Sequence, residues 1–132
     1  MNIKEIATFP VQLEQVETLS IQAEKYSSEV RQEFSISASV KGEVIDKSTG
    51  KSTIEIKVCN DDFSIEEKKV GIFKFQEEIT DEEAAINFME VQGIRILWSY
   101  VREDFYTVSS KMLLKPIMIP TIDVMKTLEK AQ

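Results

Sequence analysis

The sequence contains no histidine among its 132 residues. Histidine is the side chain best suited to proton transfer near neutral pH, and it is the commonest zinc ligand in proteins. Its absence excludes the Ser-His-Asp and Cys-His catalytic arrangements. The acidic pairs that remain, such as Glu66-Glu67, are explained by solvated charge and helix capping. We therefore predict no enzymatic activity, no catalytic residue, no metal site and no cofactor.

Cysteine is almost absent as well. The single Cys59 excludes an internal disulfide and fits a reducing compartment, and we interpret it as a half-buried apolar residue near a strand end rather than a reactive thiol. No apolar run approaches the ~20 residues that span a bilayer. Residues 1–6 lack the basic start and apolar block of a secretory signal. These features predict a cytoplasmic protein without membrane insertion.

Positive charge is scarce, because 16 Lys and Arg stand against 23 Asp and Glu, which gives a net charge of −7. Binding to a phosphate backbone usually requires a basic surface, so we predict no nucleic-acid partner. An acidic surface can instead attract a basic protein or a cation-rich unfolded polypeptide, or serve solubility alone. The length fits one domain over residues 1–132.

The first half of the chain shows the two-residue periodicity of strands. Apolar and polar residues alternate over residues 34–44 and again over 54–58, with turn residues at 46–51 between them, which predicts an antiparallel hairpin. Residues 60–62 form another turn, and a further strand runs from 63 to 75.

An earlier strand covers Phe9 to Ile21, but Val16 breaks its alternation, which predicts a bulge or bend near Gln15. The strands together span about residues 7–76.

The segment Gly50-Lys51-Ser52 resembles the end of a phosphate-binding loop. However, Ile45 replaces the required glycine and a strand follows, so we interpret the segment as a hairpin turn.

The second half shows helical periodicity. Thr80 is the predicted N-cap, with Glu83 returning a hydrogen bond, and the helix spans about residues 81–112 with a kink or interruption at Gly93. A short helix is predicted over about 121–130. Strands followed by helices indicate an α+β fold, with a four-stranded antiparallel sheet and both helices packed on one face.

The apolar stripe of the long helix is broad, which suggests contact with a second subunit as well as with the sheet. Arg102 and Arg95 lie on one side of the helix, where they either bind an anion or pair with a carboxylate such as Glu103 or Asp104 across that contact. The predicted interface residues are Ile94, Leu97, Trp98, Val101, Arg102 and Phe105.

Three phenylalanines near the ends of the last strand have two interpretations. Phe63, Phe73 and Phe75 either pack in the core or line an apolar groove that accepts extended peptides.

Three motifs in the second half resemble the SecB family of export chaperones. They are a strand ending Gly71-Ile72-Phe73, the helix segment Ile96-Leu97-x-x-Tyr100-x-Arg102-Glu103, and an extended link in which Pro120 precedes the last helix. The resemblance implies a SecB-like fold and a homo-oligomer, a tetramer in SecB itself. It also implies apolar grooves that hold unfolded polypeptide without nucleotide or catalysis. Phe73 matches the family motif, whereas Phe63 and Phe75 are our own additions.

The sequence departs from SecB at Trp98-Ser99, where the family usually carries Phe-Pro, and it ends without the metal-binding tail that docks on the export motor. We therefore do not expect delivery to that motor, and the chain is most similar to small tailless relatives. The leading hypothesis is a homo-oligomer, dimer or tetramer, that binds unfolded or extended polypeptide. The alternative is an interaction or scaffold protein that keeps the fold without client binding.

Overall fold

A computed structural model describes residues 10–113, 115–121 and 127. These residues form four strands and a long helix: β1 Val11–Lys25, β2 Ser35–Asp46, β3 Thr49–Cys59, β4 Phe63–Phe75 and α1 Glu82–Met112. The predicted α+β class and the bounds of the long helix are confirmed. The predicted short helix over 121–130 lies almost entirely outside the described residues, as does the start of the first strand before Pro10.

The sheet is antiparallel throughout, in the order β1-β4-β3-β2. Its first strand therefore lies at one edge and its second at the opposite edge, and residues 26–34 carry the chain across between them. The predicted hairpin is confirmed as the β2–β3 pair. The register of β1 against β4 shifts between Leu13 and Gln15, which confirms the predicted bulge, and shifts again between Thr18 and Ser20.

The start of α1 differs from the prediction in its capping residue. Asp81, not Thr80, is the N-cap: its backbone is extended and its carboxylate accepts a hydrogen bond from the Ala84 N–H at 3.1 Å. A carboxylate caps as well as a hydroxyl and adds a negative charge at the positive end of the helix dipole, where Glu82 and Glu83 also lie.

Two glycine-containing segments also differ from the prediction. Helix α1 runs without interruption through Gly93, and Gly50-Lys51-Ser52 belongs to β3, while the hairpin turn is formed by residues 47–48. The two segments meet in the fold. A Cβ atom on Gly93 would collide with the Ser52 hydroxyl and lie 2.7 Å from the Ser52 Cβ. Gly93 is therefore a point of close helix–sheet approach rather than a helix breaker.

The core lies between α1 and the sheet, and α1 packs on β2, β3 and β4. Its fully buried side chains include Leu97 and Val101 of the helix and Ile54 and Val58 of β3. Burial of such a side chain contributes about 1.5–3 kcal/mol. The opposite sheet face is polar and carries interstrand ion pairs, such as the 3.2 Å contact of Lys57 with Glu66.

We predict that Gly93→Ala lowers the free energy of unfolding by about 1–3 kcal/mol, because the added methyl group overpacks the contact with Ser52. At an open helix position the same change would stabilise by about 1 kcal/mol. Urea denaturation measures the difference, with the exposed Asn87→Ala as control. A second change, Ser52→Gly, should recover part of the loss, and an increase in stability for Gly93→Ala alone would contradict the close approach.

Candidate functional site

The crossover segment, residues 26–34, is tied to the turn between β3 and β4. The Tyr26 N–H donates to the Asp62 carbonyl oxygen at 2.7 Å. The Asn60 side-chain amide donates to the carbonyl oxygens of Arg31 and Glu33 at 3.1 and 2.8 Å. These bonds satisfy main-chain groups that no strand partner satisfies, so they hold a loop without regular structure in one position.

Arg31 adds charged contacts at the same turn. Its backbone N–H and its Nε donate to Oδ2 of Asp62 at 3.0 and 3.1 Å, and its Nη2 donates to Oδ2 of Asp61 at 3.1 Å. The backbone hydrogen bond, followed by the guanidinium contact, lowers the pKa of Asp62. Asp61 and Asp62, which belong to the turn predicted at residues 60–62, therefore also anchor the crossover segment.

A second extended element follows α1, and we call residues 115–121 the strap. Ile117 and Ile119 are buried in the core cluster, while Met118 between them is exposed. The Ile117 N–H donates to Oγ of Ser109 at 2.7 Å. Two helix side chains donate to strap carbonyls, Trp98 Nε1 to Pro120 at 2.8 Å and Arg102 Nε to Ile119 at 2.9 Å. The strap is therefore bound along α1 by alternate side chains and by main-chain hydrogen bonds.

An open groove of about 400 Å³ separates the crossover segment from the strap. Val30 and Phe34 line one wall, and Ile117 and Met118 line the other. Phe63, at the start of β4, contributes to the floor with Leu113. Lys25, Arg31 and Lys115 also border the groove. The volume falls within the range of ligand-binding clefts, and seven of the twelve lining residues are apolar.

The structure does not bring the three predicted groove phenylalanines together. Phe63 lines the groove, although only 1% of its surface is exposed. Phe73 is fully buried near the other end of β4, roughly 34 Å away along the strand at the usual rise per residue. Phe75 packs edge-on against Phe88 of α1, with ring centroids 6.0 Å apart. Contact of these side chains with a peptide stays a prediction.

The predicted interface residues lie close together, but within the subunit. Their apolar members, Ile94, Leu97, Trp98, Val101 and Phe105, are all buried in the core cluster. Arg102 is half-buried and bonded to the strap. The breadth of the apolar stripe thus has an explanation within one chain, because α1 contacts the strap as well as the sheet. The large hydrophobic side chains that remain exposed on α1 are Tyr100 and Tyr106.

A buried charge cluster lies between β4 and α1. Lys69 forms ion pairs with Asp104 and, at 3.7 Å, with Glu67. Burial, and then the neighbouring Asp104 carboxylate, raise the pKa of Glu67 to about 8 against the opposing effect of Lys69. Asp104 therefore pairs with a lysine of its own subunit and not with the arginine that the sequence analysis suggested.

The sequence predicted the strap as an extended link but not its burial against α1, and the crossover segment and the charge cluster were not predicted. The cluster had a signal, because Glu67 and Lys69 share the parity of Phe63, Ile65 and Phe73 on a strand with one buried face. The alternation of Ile117 and Ile119 was a weaker signal, since two residues are too few to establish a period.

Within the described part of the chain, no group of three or more Cys, Asp or Glu side chains could hold a metal ion. Across residues 10–113, 115–121 and 127, no helix has both the length and the apolar character that crossing a membrane requires.

The sequence matches no family model and no curated protein sequence, but solved structures share its fold. Rv1957, the SecB-like chaperone of Mycobacterium tuberculosis, solved in complex with a ChAD peptide from the HigA1 antitoxin, superposes with a TM-score of 0.72 at 16% identity, over 86% of this chain and 88% of that chain. A protein of unknown function from Streptococcus agalactiae gives a TM-score of 0.58 at 15% identity, over 86% and 99% of the two chains. The chain therefore has the SecB-like fold that its motifs predicted.

We predict that stability falls as pH rises from about 4.5 to about 8, because unfolded Glu67 loses its proton near its ordinary pKa while folded Glu67 keeps it until pH 8. The slope from this group approaches about 1.4 kcal/mol per pH unit. Glu67→Gln should remove that slope in chemical denaturation at a series of pH values. Glu66→Gln, at the exposed neighbour, is the control, and an equal slope in both variants would exclude Glu67 as the source.

Proposed function

We propose that this protein binds unfolded or extended polypeptide without catalytic turnover, in the groove between the crossover segment and the strap. The observation that carries the proposal is an open groove between the crossover segment and the extended strap, with seven apolar residues among the twelve that line it. A solved protein of the same fold holds a peptide from an antitoxin. Both features suit a polypeptide ligand better than a compact small molecule.

The chemistry of the groove favours broad recognition. Val30 and Phe34 are half-buried, and 69% of Met118 is exposed, so apolar surface remains for a ligand to cover. Methionine adapts its shape to different partners, and apolar contacts impose little sequence selectivity. Phe63 stays in the proposed site as its floor. Phe73 and Phe75 would belong to a second site at the far end of β4, reached only by a longer client.

The proposal extends to the assembly and location of the protein. We propose a homo-oligomer, dimer or tetramer, that lies in the cytoplasm and has no nucleic-acid partner. Because the predicted interface residues from Ile94 to Phe105 are buried within the subunit, the second copy would contact the outer side of α1. Tyr100 and Tyr106, 42% and 48% exposed, supply the large side chains there.

A scaffold that keeps the fold without client binding is the second candidate. The complete burial of Phe73 and the occupation of α1 by the strap favour it, because both remove apolar surface from a ligand. Client binding separates the two candidates directly.

We predict that a fluorescently labelled, permanently unfolded protein binds saturably at micromolar affinity or better, whereas its folded form does not bind. Met118→Asp should weaken binding about tenfold or more, because a client would bury the new charge without a partner. Ile45→Asp is the matched control, since Ile45 is similarly exposed at 52% but does not line the groove. Fluorescence anisotropy gives both affinities.

The outcome also decides between the candidates. Equal weakening by both aspartate variants would remove the groove from the proposal. No binding by the folded wild-type protein would favour the scaffold.

We predict that Tyr100→Asp lowers the oligomer mass measured by light scattering while the subunit stays folded, because an exposed position tolerates the charge unless a second copy covers it. Val101→Asp should instead unfold the subunit, since Val101 is fully buried in its core. Circular dichroism distinguishes the two effects. An unchanged mass for Tyr100→Asp would place any interface elsewhere.

A further inference from the structure

The strap is held in the way that peptide-binding proteins hold an extended ligand. Its apolar side chains enter the protein at every second position, with Ile117 and Ile119 buried and Met118 outside. Its main chain is bonded by side chains of α1 and not by a strand ladder. Such contacts recognise the extended backbone and two aliphatic side chains. They do not depend on the identity of the residues between them.

The anchoring residues follow one side of the helix. Trp98, Arg102 and Ser109 contact the strap carbonyls of Pro120 and Ile119 and the N–H of Ile117 in that order, so the strap runs antiparallel to α1. Together they form a channel with two aliphatic subsites, two donors for carbonyl oxygens and one acceptor for an N–H group.

The channel is continuous with the open groove, because Ile117 borders both. A client segment lying in the groove therefore reaches the strap directly. Trp98 and Arg102 would bond the carbonyl oxygens of any extended segment, since these contacts do not involve the strap side chains.

We propose that the strap is a built-in occupant of an extended-chain channel on α1, and that a client segment with aliphatic side chains at alternate positions displaces it. This inference rests on the proposed function and adds to it the class of client sequence and a means of regulation. The apparent affinity for such a segment equals the affinity of the open channel multiplied by the fraction of molecules in which the channel is open.

The test uses a labelled peptide with the sequence of residues 115–121 and a second peptide in which serine replaces both isoleucines. The first should bind the variant Ile117→Ala/Ile119→Ala about tenfold or more tightly than it binds the wild-type protein, because the variant weakens the occupant and keeps the channel. It should also raise the melting temperature of the variant, whereas the serine peptide should not. Thr121→Ala, at an exposed strap position, is the control and should match the wild type.

A second measurement uses the wild-type protein and does not depend on the stability of a variant. Hydrogen exchange with saturating unfolded client should show loss of protection at the Ile117 amide, whose partner in the closed state is Ser109. If Ile117→Ala/Ile119→Ala does not fold, the test uses peptide binding by the single variant Ile117→Ala together with this exchange measurement on the wild-type protein.

The failures of the two proposals are distinguishable. Client binding to the wild type with unchanged Ile117 protection, and equal peptide affinity in the strap variant, would overturn displacement and leave the proposed function intact. Peptide binding only by the strap variant would support the channel and show that the wild-type protein is closed to clients.

Discussion

The distance of α1 from the sheet is set by the contact between Gly93 and Ser52. Because Gly93 has no side chain, the helix backbone approaches β3 closely enough for the Ser52 hydroxyl to donate a buried 2.7 Å hydrogen bond to the Met89 carbonyl oxygen. A helix is nearly rigid, so a contact at one turn also determines how the following turns meet the sheet. Leu97 and Val101, on the next two turns, reach the core at the depth that this contact allows.

The same placement determines what the other side of α1 can do. With Leu97 directed to the sheet, Trp98 and Arg102 lie to one side of that contact, where their N–H groups bond the strap carbonyls. The end of the helix then directs the chain toward the crossover segment, and the groove forms between them. The close approach at Gly93, together with that of Gly42 of β2 to the Ile86 carbonyl oxygen, thus positions both the core and the candidate binding surface.

The sequence predicts elements whose signal is local. Alternation of apolar and polar residues identified β2 to β4, and the break in this alternation at Val16 located the bulge in β1. The signal is clear because successive side chains of a strand with one buried face alternate between core and solvent. The strand order was not predictable in this way, since it depends on the pairing of β1 with β4, which lies far away in the sequence. The predicted kink at Gly93 was wrong for a related reason. The sequence does not distinguish a glycine that breaks a helix from one that allows a close contact, because the contacting residue, here Ser52, is distant in the sequence. The strap was predicted as an extended link, but its packing on α1 was not, because two alternating isoleucines are too short a pattern to reveal a buried side.

The position of β1 at the sheet edge beside β4 has a consequence for how the chain folds. Strands β2, β3 and β4 pair with their sequence neighbours, so they can associate through short loops as soon as they are made. Strand β1 is synthesised first, but its partner comes last of the four strands. Closing that long loop is the entropically slow step, and it adds β1 to a sheet that already exists. Until then the N-terminal strand is itself an unpaired extended segment, and Leu19 and Ile21 stay 50% and 40% exposed even after it pairs.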